Sequence, residues 1–433
     1  MRDILFLIVV LLFNGVSLEA NIIRRPSSND QVIKLLDSAK NIAGKDKVLA
    51  QKLVSQAKNF SEKDDFTFGI GRAVFTNGYI SHVNGKKDQA IVYYLESLEI
   101  LKDLNSSDAL KYKSFATRNI GIVFFDHYQF KNAFDYFDQS QRFAERLGST
   151  EYQTIALYHK ARSNRKLGLF EDAIDNLFDA SELALDDKDY EYLINVNNQL
   201  GLIFKEIEKY DKAIEHYYQA FKYKSELENF NRFAGTAYHN IADTYLLKGD
   251  IVAAEENFLK AIDNKLLDGD MKKLFISYMD LAELYKNDGK YEKASTYYER
   301  ALALDVKFDG APTRFKIFKQ MADLSLKMKN MDAYMKYTKE YTAYLENDII
   351  NNAELAETDQ QYNIQMVTQR YYELVAAKQR EENLKRWGIW ASILVLLSIA
   401  TYFAIARIRA FRLRKLMEKE LREAMVDFNL DDL

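Results

Sequence analysis

The stretch NQLGLIFKEIEKYDKAIEHYYQA, residues Asn198–Ala220, decides the fold of this chain. It has a glycine at its fourth position, an alanine twelve residues later and a second small residue seven further on. Small residues at such intervals let two antiparallel helices approach closely, and a large side chain between them fills the space beside the crossing. The same pattern occurs in MDLAELYKNDGKYEKASTYYERA, Met279–Ala301. It therefore predicts a helix pair that recurs along the chain.

The pattern recurs every 40 to 43 residues. The small residue that begins it occupies seven positions, which are Gly78, Gly121, Ala161, Gly201, Ala242, Ala282 and Ala322. Sixteen residues later, the first six copies carry a large side chain, namely Tyr94, Phe137, Leu177, Tyr217, Phe258 and Tyr298. From this register we predict helix-crossing positions at Gly78, Gly121, Gly201, Ala242 and Ala282. We also predict left-handed glycines at the ends of four first helices, at Gly85, Gly168, Gly249 and Gly289.

The Leu-Gly…Tyr…Ala…Phe…Ala skeleton of these copies resembles the tetratricopeptide repeat. The resemblance covers roughly residues 66–340, and a weaker copy around Ala50 and Ala57 lies in residues 21–65. The period is longer than the 34 residues usual in this family, and the closing proline is absent, which implies longer helices. In the last copy the second-helix alanine is Ala333, one residue early, as in degraded terminal repeats. The resemblance implies an all-α, right-handed superhelical solenoid with at least six helix pairs and no sheet.

Composition excludes several other classes of protein. Proline occurs twice and glycine 16 times, too few for a sandwich or barrel full of tight turns. The chain has no cysteine, so its stability depends on neither disulfides nor thiolate metal sites. The 60 basic and 64 acidic residues are interleaved, without the basic stripe that nucleic acid requires. We therefore expect no nucleic-acid partner.

Sequence patterns for catalysis and metal binding are missing. The five histidines occupy five different repeat positions, and no two of them have the i, i+4 spacing of a helical metal site. The sequence has no Gly-x-Ser-x-Gly, Walker or dinucleotide-binding loop. Nothing in the spacing brings a nucleophile, a base and an oxyanion site together. We therefore expect no metal, no cofactor and no enzymatic activity.

Two apolar segments set the predicted topology. Ile4–Phe13 form a ten-residue apolar run behind Arg2, which favours a signal peptide over residues 1–20, with an uncleaved anchor as the alternative. Residues 387–406 carry no charge and at ~1.5 Å per residue extend ~30 Å, which predicts a transmembrane helix. Arginine and lysine crowd behind this helix, so residues 407–433 are predicted to form a short basic cytoplasmic tail.

The segment before the predicted span, residues 341–386, contains neither proline nor glycine. It predicts one long helix that links the solenoid to the membrane. Heptad spacing is present at four apolar positions, which are Ile364, Val367, Tyr371 and Leu374. The same seam continues with Lys378 and Glu381, so a weak coiled coil in a homodimer and a solvated single helix are both compatible with it.

In tetratricopeptide proteins the first helices of the pairs line a concave groove, so the resemblance implies binding on that face. The predicted partner-binding residues at groove positions are Arg118, Arg162, Arg165, Asn195, Asn198, His239 and Asp243. Arginine suits a carboxylate and asparagine suits a peptide backbone, whereas merely solvated helix faces are the alternative. We expect Arg162 and Arg165 to point to solvent, and Lys272 and Lys273 to lie in a helix link.

The whole layout resembles that of bacterial membrane-bound tetratricopeptide sensors that lack an output domain. It implies a membrane-anchored, extracytoplasmic (periplasmic) protein that binds a peptide or protein partner. Signalling through the span to a cytoplasmic partner is the first functional hypothesis. A static scaffold for the assembly of envelope complexes is the alternative.

Overall fold

The computed structural model describes residues 28–305, 311–346 and 349–427. Regular structure in these ranges is helical, and no strand occurs there. Seventeen α-helices follow one another: α1 Ser28–Ile42, α2 Lys47–Lys63, α3 Thr67–Val83, α4 Lys87–Leu101, α5 Ser107–Asp126, α6 Phe130–Leu147, α7 Thr150–Lys166, α8 Phe170–Asp186, α9 Tyr190–Glu206, α10 Tyr210–Gln219, α11 Asn231–Lys248, α12 Ile251–Asp268, α13 Met271–Asn287, α14 Tyr291–Asp305, α15 Ala311–Lys327, α16 Met331–Glu346 and α17 Ile349–Asp427. The predicted signal peptide lies outside the described residues.

Helices α1 to α16 pack as eight successive pairs, so the all-α prediction of at least six pairs without a sheet is confirmed for the described residues. The first helices of neighbouring pairs also contact one another, from α1 through α3, α5, α7 and α9 to α11. The first helices therefore share one side of the array. The face that they form is called the first-helix face below.

The crossings within the pairs lie at the small residues. A Cβ atom on Gly201 would lie only 2.4 Å from the Cε1 atom of Tyr217. Two other glycines face rings in the same way at 2.7 and 2.6 Å, namely Gly78 on Tyr94 and Gly121 on Phe137. Ala242 and Ala282 take this place in later pairs and have no exposed surface. A larger side chain at a crossing glycine would therefore meet a ring that has no room to move.

The turn inside each pair depends on one position, seven residues after the small residue that begins the pattern. Four glycines there have φ angles of 73° to 80°, as the sequence predicts: Gly85, Gly168, Gly249 and Gly289. Where glycine is missing, other residues adopt the same left-handed conformation at φ angles of 58° to 62°: Tyr128, Glu208 and Lys329. The geometry of the pair therefore requires this conformation whatever the residue, at some cost to residues that carry a Cβ atom.

Helix α10 ends early, at Gln219, and a 3₁₀ segment over Ala220–Glu226 replaces the rest of the second helix. Tyr223 in this segment has φ and ψ angles of −99° and 15°. Its ring stacks on Tyr190, with ring centroids 5.4 Å apart. Phe221 contacts Tyr238 of α11 at 4.8 Å. Aromatic packing therefore holds the irregular segment against both flanking first helices.

The chain divides into two units, Met1–Ile364 and Gln365–Leu433. In the second unit, the segment Gln379–Lys419 of α17 is long and apolar enough to cross a membrane, with a mean hydropathy of 2.2 in its most apolar part. The predicted span 387–406 lies within this segment, and all of its side chains are exposed. The side chains at the four heptad positions lie outside the described residues.

Candidate binding face

Aromatic rings form a continuous path of contacts along the first-helix face. Phe68 and Phe75 of α3 contact Tyr112 of α5, with ring centroids 5.7 and 5.1 Å apart. Tyr112 contacts Phe115 at 5.7 Å, and Phe115 reaches Tyr152 of α7 at 5.1 Å. Each edge-to-face pair contributes about 0.5–1.5 kcal/mol beyond its buried area. The rings therefore form a rigid platform across three repeats.

Four cations from successive first helices lie over rings of this face. They are Lys40 over Tyr79 at 5.5 Å, Arg72 over Tyr112 at 4.9 Å, Arg118 over Phe115 at 5.0 Å and Arg162 over Phe125 at 4.5 Å. These four side chains are called the cation cluster below. Burial and the positive charge of Arg118 lower the pKa of Lys40, with smaller contributions from Arg72 and Lys111. The cluster therefore concentrates positive charge on an apolar surface.

Arg118 and Arg162 differ from Arg72 in what balances their charge. Arg72 forms an ion pair with Asp37. Among the described residues, no carboxylate lies within ion-pair distance of Arg118 or Arg162. The Nε atom of Arg118 is buried without a hydrogen-bond partner. The terminal N–H groups of these two half-buried side chains, which form no ion pair among the described residues, therefore retain hydrogen-bonding capacity for an anion.

His159 lies beside both arginines. The Arg162 Nη1 atom donates a hydrogen bond to its Nδ1 atom at 3.3 Å, and its ring stacks on Phe137 at 4.9 Å. Burial, followed by the charges of Arg162 and Arg118, lowers the pKa of His159 to about 3. The imidazole is therefore neutral at physiological pH and does not add a third charge. Its role is to orient Arg162.

Arg165 does not point to solvent, so that expectation is wrong. Its side chain is 9% exposed and forms an ion pair with Glu206 of α9, one repeat further along the chain. Arg162 is also half-buried over Phe125. A joint change of both residues would therefore remove an inter-repeat ion pair together with any binding contact.

Asn195 and Asn198 lie at a cavity of about 220 Å³ between α9 and α11. The Oδ1 atom of Asn198 accepts a hydrogen bond from Nδ2 of Asn240 at 2.5 Å. The amide of Asn195 makes no hydrogen bond within the described residues, which leaves it available to a ligand. Arg232 and Lys273 also line the cavity. Lys272 and Lys273 both lie in α13 and not in a helix link, so that expectation is wrong and the pair is unsuitable as a control away from the face.

His239 and Asp243 belong to a separate polar group on α11, near Asp280 of α13. The Nε2 atom of His239 lies 3.9 Å from Oδ2 of Asp243 and 3.4 Å from Oδ2 of Asp280. Its Nδ1 atom lies 3.1 Å from Oγ of Ser277. Lys265 donates a hydrogen bond to the same Oγ atom at 2.6 Å. The predicted residues thus fall into three local groups, and Asp280, Ser277 and Lys265 were not found from the sequence.

The Ser277–His239–Asp280 arrangement has the residue types of a hydrolytic triad. Ser277, however, has no exposed surface and lies at the packing surface between repeats. A serine nucleophile must reach a substrate carbonyl, and a fully buried hydroxyl does not. The arrangement is therefore a buried polar network, and it provides no argument for acyl transfer.

The described repeats thus form an all-α solenoid whose first-helix face is basic and aromatic from α1 to α7 and carries the acidic residues Asp243 and Asp280 on α11 and α13. The repeats over residues 192–307 match the tetratricopeptide repeat. The family profile described as "Tetratricopeptide repeat" matches residues 192–266 and 233–307, a smaller part of the chain than the internal register covers. No curated protein matches the chain in sequence.

Several solved structures have a similar fold. NprR in complex with its cognate peptide NprX is 18% identical with a TM-score of 0.44, over 81% of this chain and 98% of that one. A Rap protein complexed with competence and sporulation factor is 14% identical with a TM-score of 0.47, over 81% and 98%. Aspartyl phosphate phosphatase F from Bacillus subtilis is 14% identical with a TM-score of 0.48, over 82% and 94%. At these values the similarity carries no information about what this chain binds.

Proposed function

We propose that this chain binds a peptide or protein partner on its first-helix face, and that Arg118 and Arg162 hold a carboxylate of that partner. The observation that carries the proposal is the pair of half-buried guanidinium groups without a carboxylate of their own. Burying a charge without a counter-ion is unfavourable, so such a pair is stabilised when a ligand supplies the anion. Arginine holds a carboxylate through two parallel hydrogen bonds, which also fixes the orientation of the ligand.

The neighbouring features suit the rest of a peptide. Tyr112, Phe115 and Tyr152 of the ring platform are partly exposed and offer apolar contact area, and aromatic anchors carry much of the binding energy in protein interfaces. Asn195, which has an unused amide at the cavity, suits an extended backbone. Binding is favoured over catalysis because Ser277, the serine beside His239, has no exposed surface and cannot reach a substrate. The proposal therefore covers a binding protein without enzymatic activity or cofactor.

The membrane part of the proposal rests on α17. Large aliphatic side chains there are exposed, such as Leu394 at 63% and Leu396 at 65%, and a lipid environment would remove that surface from water. Basic residues follow the apolar part, beginning at Arg407, which favours a cytoplasmic C-terminus. We propose that the solenoid lies outside the cytoplasm and that the helix passes ligand binding on to a separate signalling partner. No described feature favours a static scaffold over this function.

Binding is testable with the full chain in detergent micelles. Labelled peptides that end in a free carboxylate are titrated in parallel with the same peptides amidated at the C-terminus. We expect tighter binding of the free acids, and weaker binding as the Debye length falls from ~10 Å at 0.1 M salt to ~3 Å at 1 M. Arg162→Ala should reduce binding of the free acids, with circular dichroism as the check on folding.

The matched control is Arg142→Ala, because Arg142 lies on the second helix α6, is 75% exposed and pairs with Asp138. This variant should bind like the unchanged chain. Equal binding of free-acid and amidated peptides, or equal losses in both variants, would rule out a specific carboxylate site.

The topology is tested separately with a reporter enzyme that is active only in the cytoplasm, fused after Leu433. Activity is expected, since the basic residues behind the apolar segment hold that end inside. The same reporter inserted in the link after Lys45 should be inactive, because the solenoid would lie on the other side. An inactive C-terminal fusion combined with an active insertion would show that the chain has the opposite orientation in the membrane.

A further inference from the structure

His239, Asp243 and Asp280 direct their ligand atoms towards one small region between α11 and α13. Their ligating atoms all lie within 4.8 Å of one another. Zinc–ligand bonds of about 2.0–2.2 Å place tetrahedrally arranged ligand atoms about 3.4 Å apart. The 3.4 Å separation of His239 Nε2 and Asp280 Oδ2 already has this value. The 3.9 Å separation of His239 Nε2 and Asp243 Oδ2 needs a contraction of about 0.5 Å, which a side-chain rotation supplies.

The other side of the imidazole is arranged as in metal-bound histidines. A ligating histidine donates its second N–H group to an oxygen that fixes the tautomer. Ser277 Oγ lies 3.1 Å from His239 Nδ1 and accepts a hydrogen bond from Lys265 Nζ at 2.6 Å. With Lys265 donating to it, the Ser277 hydroxyl has a lone pair that can accept the Nδ1–H group of His239, as the metal-bound tautomer requires. In this tautomer the Nε2 lone pair faces the two carboxylates.

In that tautomer the Nε2 atom of His239 and the two carboxylates are three electron-pair donors that face one another, and a cation between them would stabilise the arrangement. The ligand atoms of the two carboxylates lie within 4.8 Å of each other, and like charges this close repel each other unless a cation compensates them. Lys205 provides part of the compensating positive charge, since its Nζ atom lies 3.6 Å from Oδ2 of Asp243.

We infer that His239, Asp243 and Asp280 form a binding site for one divalent transition-metal cation of the Zn²⁺ class, which joins two adjacent repeats. Imidazole nitrogen favours Zn²⁺ and similar ions, whereas Ca²⁺ and Mg²⁺ prefer oxygen ligands alone. In the metal-bound state Lys205 swings away from Asp243 towards solvent, because cation and ammonium compete for the same carboxylate. The metal thereby clamps α11 to α13 and stabilises this part of the array.

The test uses the full chain in detergent micelles, without a histidine tag and after treatment with a chelator. Titration with Zn²⁺ is followed by calorimetry, and titration with Co²⁺ by its visible absorption. We expect one equivalent of each ion and no saturable heat with Ca²⁺. Asp280→Asn keeps the shape of a half-exposed side chain and should weaken Zn²⁺ binding by roughly tenfold or more. The matched control is Asp211→Asn. Asp211 lies on the second helix α10, is 88% exposed and pairs with Lys248 instead of with the three proposed ligands.

Lys205→Met separates a metal site from a simple ion-pair network. Removal of the competing ammonium should strengthen Zn²⁺ binding and enlarge the rise of the melting temperature that Zn²⁺ produces. A network that needs only Lys205 as its counter-charge would give no Zn²⁺ effect in this variant. The inference is overturned by the absence of a stoichiometric Zn²⁺ site, or by an affinity that Asp280→Asn and Lys205→Met both leave unchanged.

Discussion

Gly201→Leu is expected to lower the free energy of unfolding by about 1–3 kcal/mol, through overpacking of the crossing between α9 and α10. Even the Cβ atom of the new residue would lie 2.4 Å from the Cε1 atom of Tyr217. Tyr217 is 1% exposed, so its ring has no free space into which to move. The gain of ~1 kcal/mol that replacing a helical glycine brings is smaller than this clash.

The readout should be local as well as global, since each repeat contacts only its neighbours. Thermal unfolding by circular dichroism gives the loss of stability. Relative to the unchanged chain, hydrogen exchange of the variant should speed up more in α9 and α10 than in α3 and α4. Gly44→Leu is the matched control, because a Cβ atom on Gly44 meets nothing within 4 Å. If Gly201→Leu melts and exchanges like the unchanged chain, the assigned crossing is wrong.

The pairing of helices could be predicted from the sequence because the register is repeated. A small residue, an alanine and a large ring recur with the same spacing, and each repetition reinforces the others. In the structure the six large residues of that register are at most 1% exposed. A single copy would not distinguish such a pair from any other helical hairpin.

The early end of α10 could not be predicted in this way. Residues Ala220–Glu226 contain neither proline nor glycine, so no local signal ends the helix. The break depends on the contacts of Phe221 with Tyr238 and of Tyr223 with Tyr190, which come from other helices. Tertiary packing overrides helix propensity here, and the cavity beside Asn195 lies at the break.

Part of the site could have been predicted from the sequence. Residues one repeat apart become neighbours on adjacent first helices, as Arg165 and Glu206 do at a separation of 41 residues. His239 and Asp280 have the same separation and lie 3.4 Å apart. A search for complementary side chains at the repeat period would have paired Arg165 with Glu206 and identified Asp280. The ring beneath each cation, in contrast, depends on side-chain rotamers that spacing does not reveal.

Arg118→Met is expected to weaken peptide binding without a large loss of stability. Loss of the contact with Phe115, 5.0 Å from the guanidinium carbon, costs about 0.5–2 kcal/mol. Removal of the buried, unpartnered Nε atom returns about 1–3 kcal/mol of desolvation cost, so the free energy of unfolding should fall by no more than ~1 kcal/mol. Methionine keeps the long apolar stem and favours the helix.

Binding of the free-acid peptides by Arg118→Met should nevertheless fall by roughly tenfold or more, since a hydrogen bond to a charged group contributes about 1.5–3 kcal/mol. Arg165→Met is the contrasting variant, because Arg165 already pairs with Glu206. It should lower the melting temperature, since it leaves that carboxylate unpaired, and it should leave peptide binding little changed. Titration of both variants with the free-acid peptides, together with their thermal melts, shows which arginine binds the peptide and which one stabilises the fold. A strongly destabilised Arg118→Met variant with unchanged peptide binding would make Arg118 a structural residue and move the carboxylate site elsewhere on the face.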